Sequence, residues 1–471
     1  MKKVKSRSWT GLGGWLLAVW VQCVGLPPEA AAAVAAAMTF ASALWLFCDR
    51  ILGWRGTLAG WLVLEAGFLL VNGWRYWRFN RQPDRHEAAD SDPKATFRKF
   101  CSVARVLDVS EQITDWFFGC QMCDLRRDNI ADLIAYGFWY TTREQMESEG
   151  KGEALRDALR LLKESVGVDA PPGHNSKLRF RSHLWNALPG VHFPLAFYAF
   201  MEVLGCLSHV GLVLGGFTKH SHGDLTFFVH GLPAQEHRQP YSDSRPGKVP
   251  MVFMHGIGIG LLPYVGWVQK LRQMGHPLIV IECRHTSMRL TFTTPTVDDT
   301  VSLLASVLDR LQISSVGLVS HSYGTFIASR FASLHRHRVA SQCFIDPVCF
   351  VMHNPTLLTN FVYRRLSFRS IRSLLRSAIM LLVAREPSIA ASVCRRFAWS
   401  QLNQWPDELP DKTVIVLSAL DELVPVGDVK ELMEHSGRAH VLIHPTYRHA
   451  QFLMSPTWQA TILDRIAKVC M

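Results

Sequence analysis

The chain has 471 residues, 48% of them hydrophobic, with 15 tryptophans and a formal net charge of +11. Those values exclude a disordered polymer and a disulfide-stapled mini-protein, and the length allows two to four structural units. A basic excess can serve nucleic acid or an anionic membrane. No Lys/Arg run interleaved with stacking aromatics occurs, and the arginines border apolar segments, so the expected partner is a bilayer and not nucleic acid. Eleven cysteines are scattered without a framework, which points to reduced thiols on a cytosolic face. Cys120-Gln-Met-Cys123 is a lone C-x-x-C with no second pair, so no zinc site is expected.

Three apolar runs open the chain: Trp9–Leu26, Ala30–Cys48 and Gly56–Trp74. The first two carry no charge and cover about 27–30 Å as helices, the thickness of a hydrocarbon core. Pro27-Pro28-Glu29 separates them. Glu65 interrupts the third run, which reads as a tilted or interfacial helix anchored by Trp61, Trp74, Tyr76 and Trp77. Lys2, Lys3, Lys5 and Arg7 also suit a signal peptide, but two further apolar runs behind them favour a multi-span anchor over residues 1–80. Basic clusters at both ends, the second being Arg75, Arg78, Arg81 and Arg85, ask to be cytosolic. Two spans plus one interfacial helix satisfy both and leave the catalytic domain facing the cytosol.

Residues 81–93 read as polar linker. Helical patterns follow at Phe97–Leu107, Asp128–Phe138 and Arg143–Val166, within a helical linker region extending to 217. Ala170-Pro171-Pro172-Gly173 breaks it. Leu195–Phe217 is apolar, but Glu202 and His209 inside it and His192 before it argue for a buried or membrane-surface helix rather than a span.

From residue 218 to 471 short β-rich runs alternate with helical patterns, which predicts an α/β fold with a mostly parallel sheet. The candidate strands are Leu225–His230, Val249–Met254, Pro277–Ile281, Ser315–Val319, Ser341–Ile345, Thr413–Leu417 and Ala439–Ile443. The helical patterns are Leu261–Met274, Val297–Leu311, Thr325–His335 and Asp428–His435. Several strands are nearly continuous apolar runs, as expected when helices cover both faces.

The stretch Ser320-His321-Ser322-Tyr323-Gly324 joins a predicted buried strand to a helix and approximates G-x-S-x-G, with Ser320 in place of the first glycine. Such a turn raises Ser322 Oγ above the sheet and leaves the Tyr323 N–H free at the helix start for an oxyanion. A serine needs a base oriented by an acid. Asp421 follows one predicted strand and His449 the last, in the order Ser, acid, His. Asp346, in "CFIDP", and Glu422 are alternative acids. His444 rivals His449 but stands at a strand end, and His321 faces away from Ser322. A second oxyanion donor is expected at Ile257, in the glycine-rich "MHGIGIG" after a strand. No cofactor and no metal is called for; a phosphate-cradling loop lacks its lysine and its acidic ribose ligand.

His255-Gly256, the Ser322 elbow, Asp421 and His449 together resemble the α/β-hydrolase superfamily over the C-terminal half. Upstream, "WFFGCQMCDLRRDNIADLIAYGFWY" and "HFPLAFYAF" look similar to the N-terminal regions of membrane-anchored α/β-hydrolases of fungi and algae. The resemblance implies an α/β-hydrolase fold. It adds a helical lid at 347–411, where eight arginines stand against four acids. There Ile371, Leu374, Leu375, Ala378, Ile379 and Leu382 form one helical face and Arg365, Arg369, Arg372 and Arg376 the other. That pattern suits an anionic bilayer surface or a cap packed on the core. The expected function is hydrolysis of lipid-like acyl esters through an acyl-enzyme. Acyl transfer, thioester cleavage and a catalytically silent binding fold are the alternatives. Epoxide and haloalkane hydrolysis need an aspartate at the elbow, and Ser322 argues strongly against both.

Overall fold

The computed structural model describes residues 54–81, 92–232 and 248–470. The first two apolar runs, Trp9–Leu26 and Ala30–Cys48, lie outside the described residues. Eight strands form one sheet: β1 (Thr218–His222), β2 (Leu225–His230), β3 (Met251–Met254), β4 (Leu278–Glu282), β5 (Val316–His321), β6 (Val339–Ile345), β7 (Thr413–Ser418) and β8 (His440–His444). Their order is β1-β2-β4-β3-β5-β6-β7-β8. β1, β2 and β4 pair antiparallel, and the remaining pairs are parallel.

Helices Val265–Gln273, Val297–Arg310, Gly324–Leu334, Val426–Ser436 and Pro456–Val469 form the crossovers and the C-terminal cover. Every residue of β3, β4, β5 and β7 is buried, which is why those segments read as unbroken apolar runs. β1 escapes a sequence reading because "TKHSH" is polar and largely exposed at the sheet edge. The expected Arg143–Val166 helix is two helices, Arg143–Ser148 and Gly152–Val166, parted at Gly150 with φ 72°.

The order of strands reverses at β3, whose neighbours β4 and β5 lie on opposite sides. In open α/β sheets that reversal opens a crevice at the carboxyl ends of the strands. Parallel strands bring all their carboxyl ends to one rim. The segments after β3, β5, β6, β7 and β8 therefore meet although they span nearly 200 positions of chain.

Residues 92–217 are packed rather than strung out. Helices Pro93–Ala104, Val109–Trp116, Arg127–Trp139 and Gly152–Val166 enclose a second apolar core with Phe97, Phe100, Phe138 and Trp405 at its centre. The third apolar run is a helix, Trp54–Asn80, and its inner face joins the main core through Phe68 and Phe79.

Among the described residues one helix, Leu195–Leu214, is long and apolar enough to cross a membrane. A bent pair, Ile371–Arg385 and Pro387–Cys394, passes only when taken as one unit with a 75° bend. Several polar residues of these helices and of Trp54–Asn80 point inward, whereas Arg78, Arg372 and Arg376 are exposed. Glu65 accepts the Leu195 N–H at 3.0 Å. Arg75 is fully buried and reaches Glu386 and Tyr198 at 2.7 and 2.8 Å. Glu202 binds Arg284 and Arg289, and His209 meets Glu282. Many outward residues are apolar: Leu62 and Leu70 on Trp54–Asn80, Phe200, Val203, Leu207 and Val210 on Leu195–Leu214, Ile371, Leu375 and Ile379 on Ile371–Arg385.

Candidate active site

Ser322 caps β5 with φ 51°, the left-handed conformation of a tight strand-to-helix turn. Its N–H bonds Ile345 O, and its carbonyl accepts from both the N–H and the hydroxyl of Thr325, which pins the turn from two sides. Helix Gly324–Leu334 passes so close to β3 that a Cβ on Gly324 would stand 2.4 Å from Met254 O. Ser320, the departure from a glycine, is buried without displacing the strand.

Asp421, His449 and Ser322 meet. His449 Nδ1 lies 2.7 Å from Asp421 Oδ2, and His449 Nε2 lies 2.8 Å from Ser322 Oγ. The other Asp421 oxygen accepts the Leu423 and Val424 amides, so the turn after β7 fixes the carboxylate before it touches the histidine. Burial alone would lower the His449 pKa. The Asp421 carboxylate, by charge and hydrogen bond, and the Asp346 charge beyond it override burial and raise it to about 9.

Asp346, the alternative acid, takes a different place. It is buried with φ 43°, and its Oδ2 accepts the Ala450 N–H at 2.8 Å. It thus holds the loop that carries His449 without bonding the imidazole. His321 packs its ring 5.3 Å from that of His449. Tyr264 OH lies 2.7 Å from His321 Nδ1 and accepts the Gly256 N–H, which leaves His321 Nε2 facing Asp346 at 3.7 Å. Burial lowers the His321 pKa. Glu422 points away into three arginines, and His444 stacks on Tyr447.

The glycine-rich turn after β3 lies against the elbow. A Cβ on Gly256 would stand 2.8 Å from Ser322 Cβ. His255 Nδ1–H donates to Gly256 O, and its Nε2 accepts the Cys283 N–H, a pattern that fixes the neutral tautomer and ties β3 to β4. Burial keeps this histidine neutral by lowering its pKa. Among the described residues the Ile257 and Tyr323 amides have no hydrogen-bond acceptor.

Sequence reasoning missed the positioning part played by Asp346 and Tyr264. The "CFIDP" motif signals a residue at a strand exit. Nothing local in "LLPYVG" marks a tyrosine that reaches an elbow 57 positions away.

Residues 251–460 match the family model described as "Alpha/beta hydrolase family". Over these residues, a little under half of the chain, the protein is similar to the α/β-hydrolase superfamily. A curated protein of Mycobacterium phage D29 named for non-heme haloperoxidases is 27% identical over 126 residues, 26% of this chain and 45% of that protein. The chain thus spans about half the length of that curated relative. Among solved structures, a carboxylesterase of Nitrososphaera gargenis is similar at 17% identity and TM-score 0.38, covering 54% of this chain and 98% of that one. A bacterial membrane phospholipase A is similar at 14% identity and TM-score 0.40, over 58% and 94%. An esterase of Thermogutta terrifontis is similar at 14% and 0.39, over 54% and 99%.

Proposed function

We propose that the protein is a membrane-bound serine hydrolase that cleaves acyl esters of lipid-like molecules through an acyl-enzyme. The continuous relay from Asp421 through His449 to Ser322, at 2.7 and 2.8 Å, carries the reading. In the neutral imidazole Nδ1–H donates to Asp421, and Nε2 accepts the Ser322 hydroxyl proton as Oγ attacks the ester carbonyl. The developing oxyanion accepts from the Ile257 and Tyr323 amides. The imidazolium then returns its proton to the leaving alcohol. Water, activated by the same histidine, releases the acyl group as its acid.

The membrane part of the reading rests on the apolar residues these helices leave exposed, among them Leu70, Phe200, Leu207, Leu214, Ile371 and Ile379, a surface costly in water and suited to a bilayer. In this reading the insertion 347–411 is the lid, with its exposed Ile371, Leu375 and Ile379 seated in the lipid.

Ser322→Ala is expected to abolish fluorophosphonate labelling and to lower p-nitrophenyl ester hydrolysis by about 10⁴-fold or more. Sustained turnover in that variant overturns the reading. Supplying alcohol, thiol or water as acyl acceptor separates hydrolysis from acyl transfer.

A further inference from the structure

Beside the relay, three guanidiniums converge on one carboxylate. Arg364 Nη2 lies 2.7 Å from Glu422 Oε2, while Arg376 Nη2 and Arg448 Nη1 lie 3.0 and 2.6 Å from Oε1. Glu422 directly follows the catalytic-acid candidate Asp421, and Arg448 directly precedes His449. Arg364 and Arg376 come from the 347–411 insertion. One negative charge cannot neutralise three positive ones, and the surplus sits partly out of water, where like charges repel more strongly than at a free surface. Burial by itself would raise the Glu422 carboxyl, yet the three arginines hold it below its usual range, so it remains charged and spoken for. Arg364 is nine-tenths buried, and its Nε has no acceptor. Arg376 and Arg448 are about two-fifths exposed.

We propose that Arg364, Arg376 and Arg448 form a binding subsite for the phosphate group of an anionic acyl lipid. A phosphate offers three or more charged acceptor oxygens in a tetrahedral array, enough to meet several guanidinium forks at once, where a carboxylate offers two and a halide a single point charge. The source is lipid because Arg376 lies on the helix whose Ile371, Leu375, Ile379 and Leu382 stand exposed, so the arginine sits at the depth of a headgroup when that face enters the acyl layer. The assignment of the phosphate's ester-bearing part to Ser322 rests on the serine-hydrolase reading. The charge cluster does not.

The test uses the full chain carrying Ser322→Ala, in neutral detergent, titrated calorimetrically with dioctanoyl phosphatidate, dioctanoylglycerol and inorganic phosphate. Phosphatidate is expected to bind more tightly than the diacylglycerol, and Arg376→Gln with Arg448→Gln to weaken it by roughly tenfold or more, the loss of charge-assisted hydrogen bonds. Equal phosphatidate affinity with and without the arginine changes overturns the subsite. Inorganic phosphate binding as tightly as phosphatidate overturns the lipid source and makes this a site for soluble phosphates. In the parallel hydrolysis assay with Ser322 present, the phosphatidate-to-diacylglycerol ratio of kcat/KM is expected to fall by the same factor. Intact binding with no hydrolysis of either lipid sinks the serine-hydrolase reading and supports the subsite.

Discussion

The strands of the sheet and the helices Trp54–Asn80, Leu195–Leu214 and Ile371–Arg385 all carry apolar runs in sequence, but their apolarity means different things. In β3, β4, β5 and β7 it is spent on both faces inside the protein. In the helices the inner face mixes apolar residues such as Phe68, Phe79 and Met201 with isolated polar side chains, while Leu70 and Leu214 on the far side are 77% and 83% exposed. The difference teaches that a charged residue in an apolar run can be a point of attachment to the fold. Here Glu65, Arg75, Glu202 and His209 are docking points. Each meets a partner distant in the chain, and each lies where removal would leave a buried group unsatisfied.

The comparison breaks first at Arg75. Replacing it with alanine strands the buried Glu386 carboxylate, and an uncompensated charge of that kind costs about 3–5 kcal/mol. Chemical unfolding of the full chain in detergent should register that loss. Little change would mean that the first helix is a tether rather than part of the fold.

A smaller effect sharpens the catalytic side. With the His449 pKa raised to about 9, the imidazole is the protonated, non-basic form at neutral pH. The kcat/KM of ester cleavage should therefore rise with pH through about 9. Asp346 lies within 4.8 Å of His449 and Asp421, and Asp346→Asn removes one of the charges that favour the imidazolium. The rising limb should move to lower pH by about one unit. A limb that stays in place would show that the charge of Asp421 alone sets it.

The smallest expected effect on stability belongs to the outward face. Leu375→Asp with Ile379→Asp alters two exposed side chains and should change the unfolding free energy by less than about 0.5 kcal/mol each. On the membrane-bound reading the same pair should weaken contact of residues 347–411 with lipid vesicles, read as protection of the amides of that segment from exchange. A large stability loss without any change in vesicle contact would make that face part of a core.

Much of the site was legible. Ser322, Asp421 and His449 each stand at a strand exit, and the strand–turn–helix around Ser322 has a local signature because sterics at Gly324 permit only a small residue. The expected strands from Leu225 onward fall within two residues of those observed. The edge strand Thr218–His222 was not legible, because an exposed polar edge has no hydrophobic period. Asp346 could be read as a candidate acid, but not as the support of the Ala450 amide, because that bond joins loops 104 positions apart.

By itself the sequence determined the alternation of strands and helices, the elbow, and the chemical identity of its three principal side chains, since these follow from local periodicity and steric need. Only the tertiary structure decided which acid faces His449, that Glu422 turns to the arginines instead, and that Glu65, Arg75, Glu202 and His209 of the apolar helices face inward. Those are contacts between segments far apart in the chain, fixed by where parallel strands end and by which buried charge finds a partner.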